Sequence, residues 1–232
     1  MQSSNFQSQS YRQRQITRDL NGIRNSGGIV NGGLVTFLTL MALTYSVSAG
    51  EFNEVLSLGD QAPIWSNLPG TDGKQHSMSD DHDKTAIVLV FTSATCPTAI
   101  EYESRINEMA ERMAGPGRQI ALVAVCVNRV NGDQLSDLTE RVKSKNLNFV
   151  YLYDETQKIA KDYGAIFTPE FYVLDRDRKI AYMGAFDDHA DPEKVRRRHV
   201  EEAILSVLKG KVPEVQETIG RGCRVRYLRE RK

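Results

Sequence analysis

Apolar positions along the chain fall into two kinds of run, continuous and periodic, and the two alternate. Ala86 to Phe91 is unbroken and rich in β-branched residues, the pattern of a strand buried on both faces. Gln119 to Val127 repeats it, and Phe149 to Tyr153 is a third, shorter strand. Between the first two, Ile100, Tyr102, Ile106, Met109 and Met113 recur at helical spacing among Glu and Arg. Pro97 suits the first turn of that helix, where no N–H is needed, and Gly115-Pro-Gly117 stops the chain after it. Asp133 is expected to cap a second helix that runs through Leu135, Leu138 and Val142 to Lys145. Glu155 to Tyr163 predicts a short helix with Ile159 and Ala160 inward. Phe171–Leu174 and Ile180–Met183 flank the charged turn Asp175–Lys179 and predict an antiparallel hairpin. Pro192 is expected to open a last helix with Val195, Val200, Ile204 and Leu208 on one face, ended by Gly210.

Upstream, Asp72-Gly73 is a turn signal between two short strand-like pieces, with Trp65 expected to pack beneath them. Ser79 or Asp80 is the expected cap of a brief helical turn. Strands alternating with helices imply an α/β domain with a parallel core sheet, and the closing hairpin adds antiparallel edge strands. No internal repeat is present. The predicted domain covers 54–208, with 1–49 before it and a tail, 209–232, after it.

Composition changes the picture mainly at the two ends. Thirty basic and thirty acidic residues among 232 balance, which gives no reason to expect nucleic acid as a partner. Residues 1–28 are rich in Gln, Ser, Asn and Arg, with Asp19 the one acid, and Asn25 to Gly50 carries no charge. Leu34 to Val47 is mostly apolar, and Ser46-Val-Ser-Ala49 supplies the small residues that a signal peptidase reads. A secretory signal cut after Ala49 is therefore expected, or an uncleaved anchor formed by residues 29–49. The folded part then lies outside the cytoplasm, and a membrane is a partner only if the segment stays. The tail from Lys211 holds seven basic residues against three acids and carries Cys223.

Three cysteines are too few for a disulfide scaffold. Cys96 follows the first strand and stands at the mouth of the first helix, where orphan N–H groups and the positive end of the helix dipole converge. That placement favours thiolate over thiol. Thr95 and Thr98 flank the sulfur and are candidate hydrogen-bond donors to it, or simple helix caps. Cys126 lies mid-strand and reads as a small core hydrophobe. His76, His189 and His199 are dispersed without metal-ligand spacing, so no metal is expected. Asp187, Asp188 and Asp191 read as a solvated loop. No nucleotide, flavin or haem motif appears, and no cofactor is expected.

These residues resemble the thioredoxin-like superfamily, in particular its redoxin branch, the alkyl hydroperoxide reductase/thiol-specific antioxidant (AhpC/TSA) group and its peroxiredoxin-like relatives. Four stretches carry the resemblance, which spans about residues 54–208. Gly59-x-x-Ala-Pro63 with Asp72-Gly73-Lys74 and Ser77-x-Ser-Asp80 is similar to the redoxin N-terminal hairpin. Phe91 followed by Cys96 is similar to the thioredoxin active-site strand and nucleophile, Phe167-Thr-Pro169 to the cis-proline loop, and Gly184 to the glycine that closes the hairpin. The departures are as informative. Cys96-Pro-Thr-Ala99 lacks the second cysteine of thioredoxins. Leu89 stands where peroxiredoxins have a proline seven residues before the cysteine, although Ser93 can replace their threonine, and no counterpart of their arginine is evident.

The resemblance implies a thioredoxin fold with an N-terminal β-hairpin extension and a central mixed sheet flanked by helices. It also implies a thiol oxidoreductase in which Cys96 attacks a protein disulfide or a peroxide, with the Pro169 loop shaping an extended substrate and an outside thiol as reductant. Disulfide exchange fits the departures better than peroxidase action. For Cys223 three roles stay open: resolving thiol on an exposed, mobile tail whose arginines lower its pKa, static staple to Cys96, or contact with another protein. A binding module that kept the fold without turnover is the alternative for the whole chain.

Overall fold

The computed structural model describes residues 50–115 and 117–228; the signal or anchor expected over 1–49 lies outside them. Leu68–Pro69 (β1) and Gln75–His76 (β2) pair antiparallel across the turn at Gly73, so the expected hairpin is present but short. A single 3-10 turn, Met78–Asp81, follows. Its cap is Ser77, not Ser79 or Asp80, because Asp80 Oδ2 turns back to accept the Ser77 N–H at 2.8 Å. The chain then enters Ala86–Phe91 (β3), wholly buried.

From there the elements are Pro97–Met113 (α1), Ile120–Cys126 (β4), Leu135–Lys145 (α2), Val150–Tyr153 (β5) and Lys158–Asp162 (α3). Phe167–Thr168 (β6), Glu170–Leu174 (β7), Ile180–Gly184 (β8), His199–Leu208 (α4) and Cys223–Arg224 (β9) complete the order. Five strands form the central sheet in the order β5-β4-β3-β7-β8. β3–β4 and β4–β5 are parallel, while β3–β7 and β7–β8 are antiparallel. The closing hairpin therefore joins the sheet through β7, next to the central strand, and of its two strands only β8 is an edge.

Because β3 is central, its alternating side chains feed two cores. Ala86, Val88 and Val90 pack with Tyr102, Ile106 and Met109 of α1, Leu138 of α2 and Val200, Ala203 and Ile204 of α4. Ile87, Leu89 and Phe91 pack on the other face with Ile159 and Tyr163, and with Trp65 and Met78 from the N-terminal stretch. Cys126 is buried in the first of these cores, as expected.

Several local expectations are corrected. Ile100 is 40% exposed, since the buried stripe of α1 runs through Ala99, Tyr102, Glu103, Ile106, Met109 and Ala110. Glu103 is tolerated in that stripe because Arg141 of α2 grips both its carboxylate oxygens. The last helix starts at His199 rather than at Pro192, where only a 3-10 turn forms. Between them Asp188 exchanges hydrogen bonds with the backbone of Arg196 and Arg197, which holds that stretch extended. Asp187 is not solvated: it is 1% exposed and accepts from Tyr102 and Arg105. Asp133 does not cap α2; the N-cap is Gln134, whose N–H goes to Asp137.

The tail is laid against the domain rather than standing free. β9 pairs antiparallel with β6 (Phe167 opposite Arg224, Thr168 opposite Cys223), and Val225 is buried. Two glycines permit the approach. A Cβ on Gly184 (φ +133) would lie 2.1 Å from the Thr218 carbonyl oxygen, and one on Gly222 (φ +154) 2.0 Å from that of Thr168.

Leu89→Ala, at a fully buried position of the central strand, should lower unfolding stability by about 2–5 kcal/mol. Ile64→Ala, at a side chain 76% exposed, should change it by less than about 0.5 kcal/mol. Urea denaturation followed by circular dichroism checks the pair.

Candidate active site

The sequence places Cys96 at the N-cap of α1, and the structure agrees. Its backbone is still extended (φ −87, ψ 116), Pro97 occupies the first helical position, and the sulfur accepts the Ala99 N–H at 3.4 Å. The peptide between Thr168 and Pro169 is cis, as expected for this loop. The Thr168 carbonyl oxygen lies 3.0 Å from Cys96 Sγ and takes its proton in the thiol form. Cys96 is 3% exposed.

The third component is Cys223. Pairing of β9 with β6 brings it opposite Thr168 and beside Cys96, where each sulfur influences the titration of the other; both cysteines are free. Burial alone would push the Cys96 thiol up. It is outweighed by hydrogen bonds from the Cys223 thiol, the Thr168 side chain and the N–H groups of Ala99 and Cys223, so Cys96 lies below an ordinary thiol. Cys223 moves the opposite way, because it donates to the Cys96 sulfur and is partly desolvated; Arg226 opposes this only weakly. The expectation that neighbouring arginines lower Cys223 is thus overturned by the contact with Cys96. Cys126, buried in the core, is pushed far above the thiol range by desolvation.

The two threonines separate. The Thr95 hydroxyl is turned away from the sulfur and donates to Asp133 at 3.1 Å, so it is not a donor to Cys96. Thr98 bears on the pair through its backbone N–H, which favours the Cys223 thiolate.

Asp133 explains how the loop before Cys96 is held. Fully buried, it accepts from Ser93 Oγ (2.7 Å), Thr95 N (3.0 Å), Thr95 Oγ1 (3.1 Å) and Asn128 Nδ2 (3.0 Å). These donors satisfy the carboxylate where burial would otherwise penalise it. An aspartate before a helix reads as a cap, so the sequence signal for Asp133 points to the wrong role. Asn128 carries no signal at all.

A five-stranded mixed sheet, a cysteine capping the helix after its central strand, and a cis-proline loop beside the sulfur define a redoxin of the thioredoxin fold. The chain belongs to the AhpC/TSA family, whose model matches residues 58–183. No protein of curated function matches it by sequence. Among solved structures it is similar to a hypothetical protein of Sinorhizobium meliloti, at 29% identity and TM-score 0.69, over 76% of this chain and 97% of that one. An uncharacterized conserved protein of Geobacillus kaustophilus matches at 29% identity and TM-score 0.69, over 75% of this chain and 94% of that one. A putative thiol:disulfide interchange protein, DsbE, of Chlorobium tepidum shares the fold at 23% identity and TM-score 0.54, over 66% of this chain and 99% of that one.

Alkylation of Cys96 by iodoacetamide should follow a titration with a midpoint below about 8.5, the value of an ordinary thiol. A depressed pKa keeps the thiolate present to lower pH, so the rate falls only as pH drops through that lower midpoint. Cys223→Ala removes a donor to the Cys96 sulfur and should move the midpoint upward. The rate–pH profiles of the two proteins, with the alkylated peptide identified by mass spectrometry, check both statements.

Proposed function

We propose that the protein is a thiol oxidoreductase that works by disulfide exchange, with Cys96 as nucleophile and Cys223 as resolving thiol. The observation that carries this reading is the placement of Cys223 by strand pairing opposite Thr168, whose carbonyl oxygen lies 3.0 Å from Cys96 Sγ, with Cys96 itself at a helix N-terminus. The Cys96 thiolate attacks one sulfur of a substrate disulfide, forming a mixed disulfide and releasing the other sulfur as thiolate. Cys223, deprotonated as it attacks, then forms the Cys96–Cys223 bond and expels the remaining substrate thiolate, so the substrate gains the two electrons that the cysteine pair loses. An outside thiol reduces the pair for the next round. Ala99, at the place of the missing second cysteine, has no part in resolution.

Peroxides are the second substrate class for the same thiolate. Attack on the O–O bond gives a Cys96 sulfenic acid and an alcohol or water, and condensation with the Cys223 thiol releases water. Leu89 at the position of the peroxiredoxin proline favours disulfides over peroxides. The Pro169 loop would line the substrate groove. The charge-free stretch 25–50 with Ser46-Val-Ser-Ala49 supports an extracytoplasmic location, secreted if cleaved and anchored by residues 29–49 if not.

Cys96→Ser should abolish reduction of a model protein disulfide such as insulin, a loss of at least about 100-fold. Cys223→Ser should leave the first attack intact and accumulate a Cys96 mixed disulfide with glutathione. Full turnover in Cys96→Ser would end the proposal. A Cys96 that alkylates no faster than a free thiol, with no disulfide after mild oxidation, would instead identify a binding module.

A further inference from the structure

Two buried side-chain amides outside the sulfur site hold the tail strand. Asn128 (3% exposed) follows β4, and Gln157 (1% exposed) precedes α3 in a left-handed conformation, φ 61. Asn128 Oδ1 accepts the Arg226 N–H at 2.9 Å. Gln157 Nε2 donates to the Arg226 carbonyl at 3.0 Å, and Gln157 Oε1 accepts the Leu228 N–H at 2.8 Å. Each amide carries one carbonyl and one NH2 group, so together they present to the tail what the edge of a strand would present. They read only its backbone. Their other bonds fix them in the domain: Gln157 Nε2 to the Val127 carbonyl at 2.8 Å, Asn128 Nδ2 to Asp133 at 3.0 Å.

This clamp begins where the β6–β9 ladder ends. Val225 N–H donates to the Ile166 carbonyl at 2.8 Å, and the amides take over at Arg226. On the other side of Cys223 the tail is tied to β8, where Thr218 N–H meets the Met183 carbonyl at 3.1 Å. Cys223 is thus suspended between two anchored stretches. The Asn128–Asp133 bond also joins the clamp to the carboxylate that holds Ser93 and Thr95, immediately before Cys96.

We propose that Asn128 and Gln157 are positioning residues that hold the tail by its main chain and so present the Cys223 sulfur to Cys96 for the resolving attack. The inference rests on the disulfide-exchange reading above. Resolution in this protein is intramolecular, and its rate scales with the effective concentration of the Cys223 sulfur at Cys96. In the step concerned, the Cys223 thiolate bonds to Cys96 Sγ, the bond from Cys96 to the substrate sulfur breaks, and the departing thiolate takes up a proton. The clamp touches none of these atoms.

The test uses the full chain and its Asn128→Ala, Gln157→Ala and Leu228→Pro variants, reduced and then mixed with oxidised glutathione. Leu228→Pro deletes a clamped N–H from an exposed tail residue and leaves both buried amides in place, so it does not depend on the core tolerating a change. Quenched mass spectrometry gives the rate of Cys96–Cys223 closure, and iodoacetamide gives the reactivity of Cys96. Each variant should close about tenfold more slowly, because it loses one or two of the part-buried hydrogen bonds that hold the tail. The Cys96–glutathione adduct should accumulate, and alkylation of Cys96, measured at a pH above its midpoint in every variant so that the thiolate is complete, should hold or quicken as the tail lifts. Closure at the wild-type rate in Leu228→Pro would overturn the clamp while leaving disulfide exchange standing. Equal falls in closure and alkylation would mean general loosening and would also overturn it. No closure even in the wild-type chain would remove the underlying reading and the clamp with it.

Discussion

The site depends on a main-chain contact, the antiparallel pairing of Cys223–Arg224 with Phe167–Thr168. It fixes where the tail thiol lies, and through it the charge state of both cysteines. A thiolate at a helix N-terminus is already favoured by oriented N–H groups. The second thiol beside it favours that thiolate further and has its own pKa raised in return, so the two cysteines shift in opposite directions. Strand pairing in a short tail is weak by itself. Here it is extended at one end by Asn128 and Gln157 and at the other by the close approach to Gly184.

The domain beneath is built to keep that geometry rigid. β3, with no exposed side chain, feeds both cores and ends at the loop that carries Cys96. The loop is held from below by Asp133, and β7, next to β3 in the sheet, carries the cis-proline loop to the sulfur from the other side. Arg105 performs a comparable service for the loop that the tail meets just before Cys223. Its guanidinium lies 3.9 Å over the Tyr102 ring and binds Asp187 and the carbonyls of His189 and Ala190, while the neighbouring Asp188 carbonyl accepts from Arg221 of the tail. Polar groups in these places are buried but satisfied, which makes them orienting rather than costly.

Thioredoxin-fold proteins with two cysteines in one helical turn carry the resolving thiol on the same element as the nucleophile. In this chain Ala99 occupies that place, and the second thiol comes from a segment more than a hundred residues downstream. The strand that brings it lies along Phe167–Thr168, the edge that an extended peptide would otherwise pair with. Under the proposed disulfide exchange, a polypeptide substrate that paired with this edge would have to share or displace that strand.

The sequence by itself determined the layered domain and the position of Cys96 at the helix start. Burial on both faces writes continuous apolar strands, helical burial writes a three-to-four spacing, and a cap position is a local property of Cys96-Pro97. The same logic misread Asp133, because the local signal for a cap is the same whether the carboxylate turns to its own helix or across to Ser93 and Thr95. It misread Asp187 as solvated, because only the fold supplies Tyr102 and Arg105 as partners. The tail was the least legible stretch. Its docking uses main-chain N–H and carbonyl groups, which every residue carries, so no side-chain period records it. Only the tertiary structure decided that Asn128 and Gln157 face that strand, and that Cys223 meets Cys96. Both depend on distances between segments far apart in the chain, which composition and spacing do not encode.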